Sequence, residues 1–239
     1  MPLLSSLRDR NRQPEVMDQP DLDPDAHKDA LRGLARINRW SRSAEILWPA
    51  IASLARANPD RTVRVLDVAT GSGDVPIRLA GWATRAGICN LAFAGCDVSE
   101  TALAIARTAA VQAGNAVEFF RHDAVADALP AGFDAVTCSL FLHHLDQADA
   151  ETLLGRLRKA AARLVLVNDL VRSRAGFVMV WLASRALTRS PVVHVDGPLS
   201  VRAALTIPEA RELATRAGMA GAVIESRWPC RFLLTWGPS

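Results

Sequence analysis

From residue 62 to residue 170 the chain alternates short apolar runs with longer stretches of helical periodicity. The strand-like runs fall at 62–68, 91–97, 117–123, 133–140 and 163–169, and the helical stretches near 74–87, 99–113 and 148–161. A strand that is apolar along its length needs cover on both faces. Helices flanking a parallel sheet supply that cover. Two more runs, at 221–226 and 230–236, follow a helix at 208–217 with no long helix between them, which predicts an antiparallel hairpin at the sheet edge. The expected fold is α/β: a doubly wound seven-stranded sheet, mostly parallel, closed by a C-terminal edge hairpin.

Ahead of the sheet, residues 1–23 read as a polar, proline-containing arm. A helix follows from Pro24 to Trp40, with Leu31, Leu34 and Ile37 on one face and Arg32, Arg36 and Arg39 on another. A second helix is expected from Ser43 to Ala57, stopped by Asn58-Pro59-Asp60. Residues 1–60 thus form an arm and helices, and 61–239 the sheet domain. Within that domain 170–206 reads as irregular apart from one very apolar helix candidate, GFVMVWLASRALT.

The net charge is +3, carried almost wholly by arginines spread along the chain. Neither a basic stripe nor an aromatic stacking platform appears, so no nucleic-acid partner is expected. No apolar run is long enough for a membrane span. The opening MPLLSSLRDRNRQPEVMD meets charges too early for a secretory signal. Cys89, Cys96, Cys138 and Cys230 form no C-x-x-C pair, and three sit in apolar surroundings. Buried thiols in a reducing, cytoplasmic compartment are expected, in a monomer or homodimer.

The ligand end of such a sheet is the carboxyl edge of its strands. Here VLDVATGSGDVP (65–76) runs from a strand into a glycine turn and a helix. A phosphate loop needs Gly-Lys-Ser/Thr at the helix start, but Gly73 is followed by Asp74. A dinucleotide turn wants a third small residue where Pro76 stands. Asp67 and Asp74 also flank the turn. At about 4 Å and surface-like dielectric a charge contact amounts to roughly 4 kcal/mol before desolvation. The turn therefore disfavours pyrophosphate and favours a cationic, adenosine-like ligand. Asp74 alternatively does no more than cap the helix that Pro76 opens.

Asp67-x-Ala69-x-Gly71-x-Gly73 resembles the first motif of the class I S-adenosylmethionine (SAM)-dependent methyltransferases, with Ala69 where a glycine is usual. The wording DVATGSGD is similar to the quinone-biosynthesis and small-molecule branch. The likeness covers roughly residues 62–170 and implies a Rossmann-like fold with SAM as cofactor. It implies backbone contact with the methionine moiety along Ala69, Thr70, Gly71 and Gly73. It assigns the ribose hydroxyls to Asp97 and adenine packing to Val98. It assigns the adenine amino group to Asp123-Ala124, and puts Ser139 at the end of the fourth strand in CSLFLHHL. It also implies lid helices in 1–60 and a substrate pocket built by 170–206.

Methyl transfer to a phenolic oxygen needs in-line alignment and a proton acceptor. Histidine is the natural acceptor. His143 and His144 follow the fourth strand, Asp169 ends the fifth, and His194 lies in SPVVHVDGPLSVRAAL near Asp196 and Arg202. His143, His194 and Asp169 are the expected catalytic residues, with His144 and Arg202 as substrate contacts. His27 is read as packing or capping. No metal site is expected, because no magnesium-type cluster of acids can be assembled. The apolar run in 176–184 reads as a core or lid helix, with transient membrane contact as the other reading. The expected substrate is a small, apolar, aromatic molecule such as a phenolic polyketide or quinone precursor. O-methylation is favoured, with C-methylation second. A nicotinamide dehydrogenase and a non-catalytic SAM-binding protein are the remaining alternatives.

Overall fold

The computed structural model describes residues 7–18, 22–40 and 42–238. The side chains of His27, Leu34 and Arg39, and the ends of the arm at 1–6 and 19–21, lie outside the described residues. Seven strands form one sheet: β1 (Val63–Val68), β2 (Leu91–Asp97), β3 (Val117–Arg121), β4 (Phe133–Ser139), β5 (Ala161–Leu170), β6 (Val223–Arg227) and β7 (Arg231–Trp236). Their order is β3-β2-β1-β4-β5-β7-β6, and β7 alone is reversed, pairing antiparallel with β5 and with β6. The expected mostly parallel sheet with a C-terminal hairpin is therefore present. The hairpin's last strand is the inner one, beside β5.

Helices cover both faces: α1 (Pro24–Trp40), α2 (Ser43–Arg56), α3 (Asp74–Arg85), α4 (Glu100–Ala113), α5 (Gln147–Ala160), α6 (Arg174–Leu187), α7 (Pro191–Ala203) and α8 (Ile207–Arg216). The period-2 pleat explains how one strand feeds two cores. Val63 and Val65 pack with Leu47, Ile51 and Leu79 of α2 and α3. Leu66 and Val68 pack with Leu153, Leu157 and Leu213 of α5 and α8. Both sets are at most 2% exposed. Winding reverses between β1 and β4, so the crevice for a ligand opens at their carboxyl ends.

One expectation fails. The segment 170–206 is not irregular but holds two consecutive helices, α6 and α7. Gly197 and Pro198 sit inside α7 and argue locally against a helix. Tertiary packing overrides them. A Cβ on Gly197 would lie 3.0 Å from Val180 of α6, so the glycine permits close helix–helix approach. Asp196 further anchors α7 by accepting the Val16 and Met17 N–H groups at 2.8 and 3.0 Å.

Candidate active site

Strand β1 ends at Val68, and the chain turns through Ala69, Gly71 and Gly73, all with left-handed φ of 54°, 54° and 73°. Glycine adopts this conformation freely; Ala69 is strained by roughly 1–2 kcal/mol there. The turn is fixed by its neighbours. Asp97, at the end of β2, accepts the Gly71 N–H at 2.8 Å and the Ser99 N–H at 2.9 Å. Thr70 Oγ1 donates to Asp67 Oδ2 at 2.8 Å, and Thr137 Oγ1 donates to Asp67 Oδ1 at 2.6 Å. Burial pushes the Asp67 carboxyl up to about 7; the threonine hydroxyls oppose the rise, and Asp74 and Asp97 add to it. Three carboxyls thus converge on one turn, and Asp74 and Asp97 disfavour ionisation of Asp67.

The turn opens into a cavity of about 670 Å³. Asp67, Ala69, Thr70, Gly71, Asp97, Val98, Asp123, Ala124 and Ser139 all border it. Val98 presents an apolar side chain 55% exposed at the rim. Asp123 accepts the Val125 and Ala126 N–H groups, and these, above all Ala126, hold its carboxyl below the usual range. Gly73 is the exception: it caps α3 instead of facing the cavity. A Cβ there would meet Phe119 at 2.7 Å and Ala106 at 2.9 Å. With Gly73 as the N-cap, Asp74 is the first residue of α3 and borders the cavity.

Across from the turn, a short 3-10 turn at Leu142–His144 follows β4. His143 and His144 both reach the cavity wall. His143 Nδ1 lies 2.6 Å from Asp169 Oδ1, and Asp169 Oδ2 accepts the His143 backbone N–H at 3.2 Å. Burial works to raise the Asp169 carboxyl, but the His143 ring and the Leu170 N–H override it and hold it below its ordinary value. An ionised Asp169 accepts only, so Nδ1 carries the proton and Nε2 of a neutral ring is left as acceptor. Asp169 itself is 1% exposed and sits behind His143, off the cavity wall.

Two expected residues are elsewhere. His194 Nε2 donates to the Thr188 carbonyl at 2.9 Å, tying α7 to the loop after α6, and does not border the cavity. Arg202 lies with its guanidinium 5.3 Å from the Phe177 ring centre, also off the wall. The helical phase of α7 explains both: Val193, Gly197 and Ser200 take the inward face instead. Cys96 and Cys138 are buried as expected, whereas Cys230 is half-buried on the cavity wall and Cys89 is exposed.

The structure also adds residues that local patterns do not mark. Arg231, first in β7, is 2% exposed and borders the cavity. Burial lowers it to about 10, with Asp169 and Asp74 pulling the other way. Buried His122 Nε2 and Ser139 Oγ have no hydrogen-bond partner among the described residues, and both side chains belong to the wall. Glu15, from the arm, is 6% exposed and accepts the Ser200 hydroxyl at 2.6 Å. The arm also supplies Met17, while α1 supplies Leu31 and Ile37, and α6 supplies Met179, Val180 and Ala183, to an apolar roof. Donor atoms of Glu15, His143 and His144 lie within 4.8 Å of one another.

Residues 65–163 match the family described as a methyltransferase domain. The demethylmenaquinone methyltransferase of Thermus thermophilus is 36% identical over 122 residues, which are 49% of this chain and 52% of that protein. The chain thus spans about half the length of that curated relative. The plantazolicin methyltransferase BpumL, in complex with a triazolic desmethylPZN analog and SAH, superposes with a TM-score of 0.64 at 15% identity, over 90% of this chain and 91% of that one. Magnesium protoporphyrin IX methyltransferase from Synechocystis PCC 6803 with bound SAH gives 0.56 at 17% identity, over 93% and 91%. At such identities the superpositions establish a shared fold. Residues 65–163, within the strand order found here, thus resemble a methyltransferase domain.

Proposed function

We propose that the chain is a SAM-dependent methyltransferase of a small, apolar, aromatic substrate, with O-methylation of a phenol favoured. The observation that carries this reading is one cavity bordered on one side by an acidic glycine turn and on the other by His143, whose ring Asp169 holds from behind. The turn from Ala69 to Gly71 would hold the methionine end of the cofactor, whose positive charge matches Asp67, Asp74 and Asp97. Asp97 would take the ribose hydroxyls with lone pairs that Gly71 and Ser99 do not use. Val98, Asp123, Ala124 and Ser139 would surround adenine, with His122 as an added hydrogen-bonding group. Gly73 shapes the turn from behind. Residues 1–60 would act as arm and lid, and α6 and α7 as the substrate roof.

When bound, the cofactor supplies an electrophilic methyl group. The substrate oxygen would take that methyl group, with the cofactor's sulfur as leaving group, and His143 Nε2 would accept the phenolic proton. Asp169 holds the ring in the tautomer that makes this transfer possible. Buried Arg231 favours negative charge on the oxygen. His144 would contact substrate, and the apolar roof excludes water. The name of the Thermus relative supports a second reading, C-methylation of a quinone precursor. A cytoplasmic monomer or homodimer fits the free cysteines, and no helix among the described residues is long and apolar enough to cross a membrane.

The test is calorimetry with S-adenosylhomocysteine and, separately, NAD, followed by transfer of labelled methyl from SAM to a panel of phenols and quinols. Micromolar binding of the homocysteine compound alone and base-stable ether products support the reading. Binding of NAD alone, or carbon-methylated products, would replace it with the dehydrogenase or the C-methyl alternative.

A further inference from the structure

The polar cluster beside the roof contains more than one base requires. His143 and His144 are adjacent on the 3-10 turn, their ring centres 4.3 Å apart and their planes tilted by 34°. Glu15 approaches from the arm, with Oε2 3.7 Å from His144 Nδ1. Burying a carboxylate here is costly unless something compensates it. We propose that Glu15, His143 and His144 form a divalent transition-metal site, of zinc or cobalt type, that locks the arm onto the sheet edge.

Four observations support it. Two imidazoles and one carboxylate are the donor set of open zinc and related first-row sites. The donors lie within 4.8 Å of one another. An ion about 2.1 Å from each needs them roughly 3.0–3.5 Å apart, so a closing movement of at most about 1.3–1.8 Å suffices. Each side has an outer partner of the kind that orients metal ligands: Asp169 holds Nδ1 of His143, and Ser200 holds Oε1 of Glu15. Finally, all three residues border the cavity, so a coordination position stays open to it.

The consequence rests on the proposed function. With Nδ1 on Asp169, the ligating atom of His143 is Nε2, the nitrogen assigned to accept the substrate proton. Metal binding and proton acceptance exclude each other there. The cation would inhibit transfer reversibly and would tie Glu15 of the arm to the turn after β4.

The experiment uses untagged, chelator-stripped full chain. Cobalt(II) titration followed by visible absorption, and zinc titration by calorimetry, should each give one ion per chain at micromolar affinity or tighter. Glu15→Gln and His144→Gln should each weaken binding at least tenfold, and Asp169→Asn by about 10–100-fold. Zinc should also slow tryptic cutting at Arg10 and Arg12 in the parent but not in Glu15→Gln. If one variant fails to fold, judged by its melting curve, the other carries the test. No binding below millimolar metal, or binding unchanged in both variants, overturns the site. These readouts need no methyl transfer, so they stand if the proposed activity fails. If activity is found, zinc should abolish it and a chelator restore it. Undiminished turnover of a zinc-saturated chain would overturn the assigned overlap with the base.

Discussion

The floor and the roof of the cavity are built by different means. The floor is the carboxyl edge of β1, β2 and β4. Its contacts are close in sequence or repeat across neighbouring strands: Thr70 to Asp67 spans three residues, and Gly71 to Asp97 spans 26. The roof is joined by contacts spanning most of the chain: Glu15 to Ser200 spans 185 residues, Val16 to Asp196 spans 180, and Arg10 to Ala203 spans 193. The floor is specified by backbone conformation and carboxylates, and tolerates little change. The roof presents mostly apolar side chains, held in place by those long-range contacts. Cofactor binding should therefore break with floor mutations, and substrate choice with roof mutations.

The largest effect should come where the two regions meet. His143→Gln removes the proposed acceptor while retaining a polar side chain. Turnover of a phenol should fall about 10²–10⁴-fold, with the dissociation constant for S-adenosylhomocysteine changed less than about threefold. A parallel collapse of cofactor binding would mean that His143 belongs to the floor. Next is Asp97→Ala. Loss of a carboxylate that orders the turn, and that in the proposed function takes two hydroxyls, should weaken S-adenosylhomocysteine by roughly 100-fold, read by calorimetry. Third, Gly73→Ala places a methyl against Phe119 and Ala106 at a left-handed φ. Overpacking and backbone strain together should cost about 2–4 kcal/mol in denaturant unfolding. A neutral result would show the floor to be softer than its contacts imply.

The same contrast explains what could be read from the chain beforehand. The sheet was legible because whole-strand apolarity and helix periodicity are local signals, and β2 falls at 91–97 as expected. Asp67, Asp97, Asp123 and the turn were legible because each is a short motif at a strand end. The roof was not. His194 and Arg202 looked functional by chemistry and by neighbourhood, yet the phase of α7 turns them away, and phase depends on packing against α6. Gly197 and Pro198 hid that helix altogether. Glu15 and Arg231 escaped notice because only the fold carries the arm and β7 to the cavity; nothing near either residue in sequence marks it.

The smallest effects concern the floor's own strain. Asp67 titrates near 7 in the folded chain, against 3.8 for an ordinary aspartate. Between those values the folded chain holds a proton that the unfolded chain has released, so this group's contribution to stability is lost as pH rises through about 4 to 7. Asp67→Asn should flatten the fall in unfolding free energy between pH 5 and 8 by roughly 1–3 kcal/mol. A bound ammonium would favour the ionised carboxyl, so ligand binding near pH 7 should release a fraction of a proton, seen as a buffer-dependent calorimetric heat. An unchanged pH slope in the variant would remove the acidic-turn argument.

Ala69→Gly asks whether the left-handed turn is strained at all. Alanine at φ 54° costs roughly 1–2 kcal/mol locally. Glycine relieves that but makes the unfolded chain more flexible by about 0.4–1 kcal/mol. The net should be a gain of about 0.5–1 kcal/mol in stability, with S-adenosylhomocysteine affinity unchanged or slightly better. If stability drops instead, the Ala69 methyl is packing against something worth more than its strain. The floor would then depend on side-chain contacts as the roof does, and the division between the two regions would have to be redrawn.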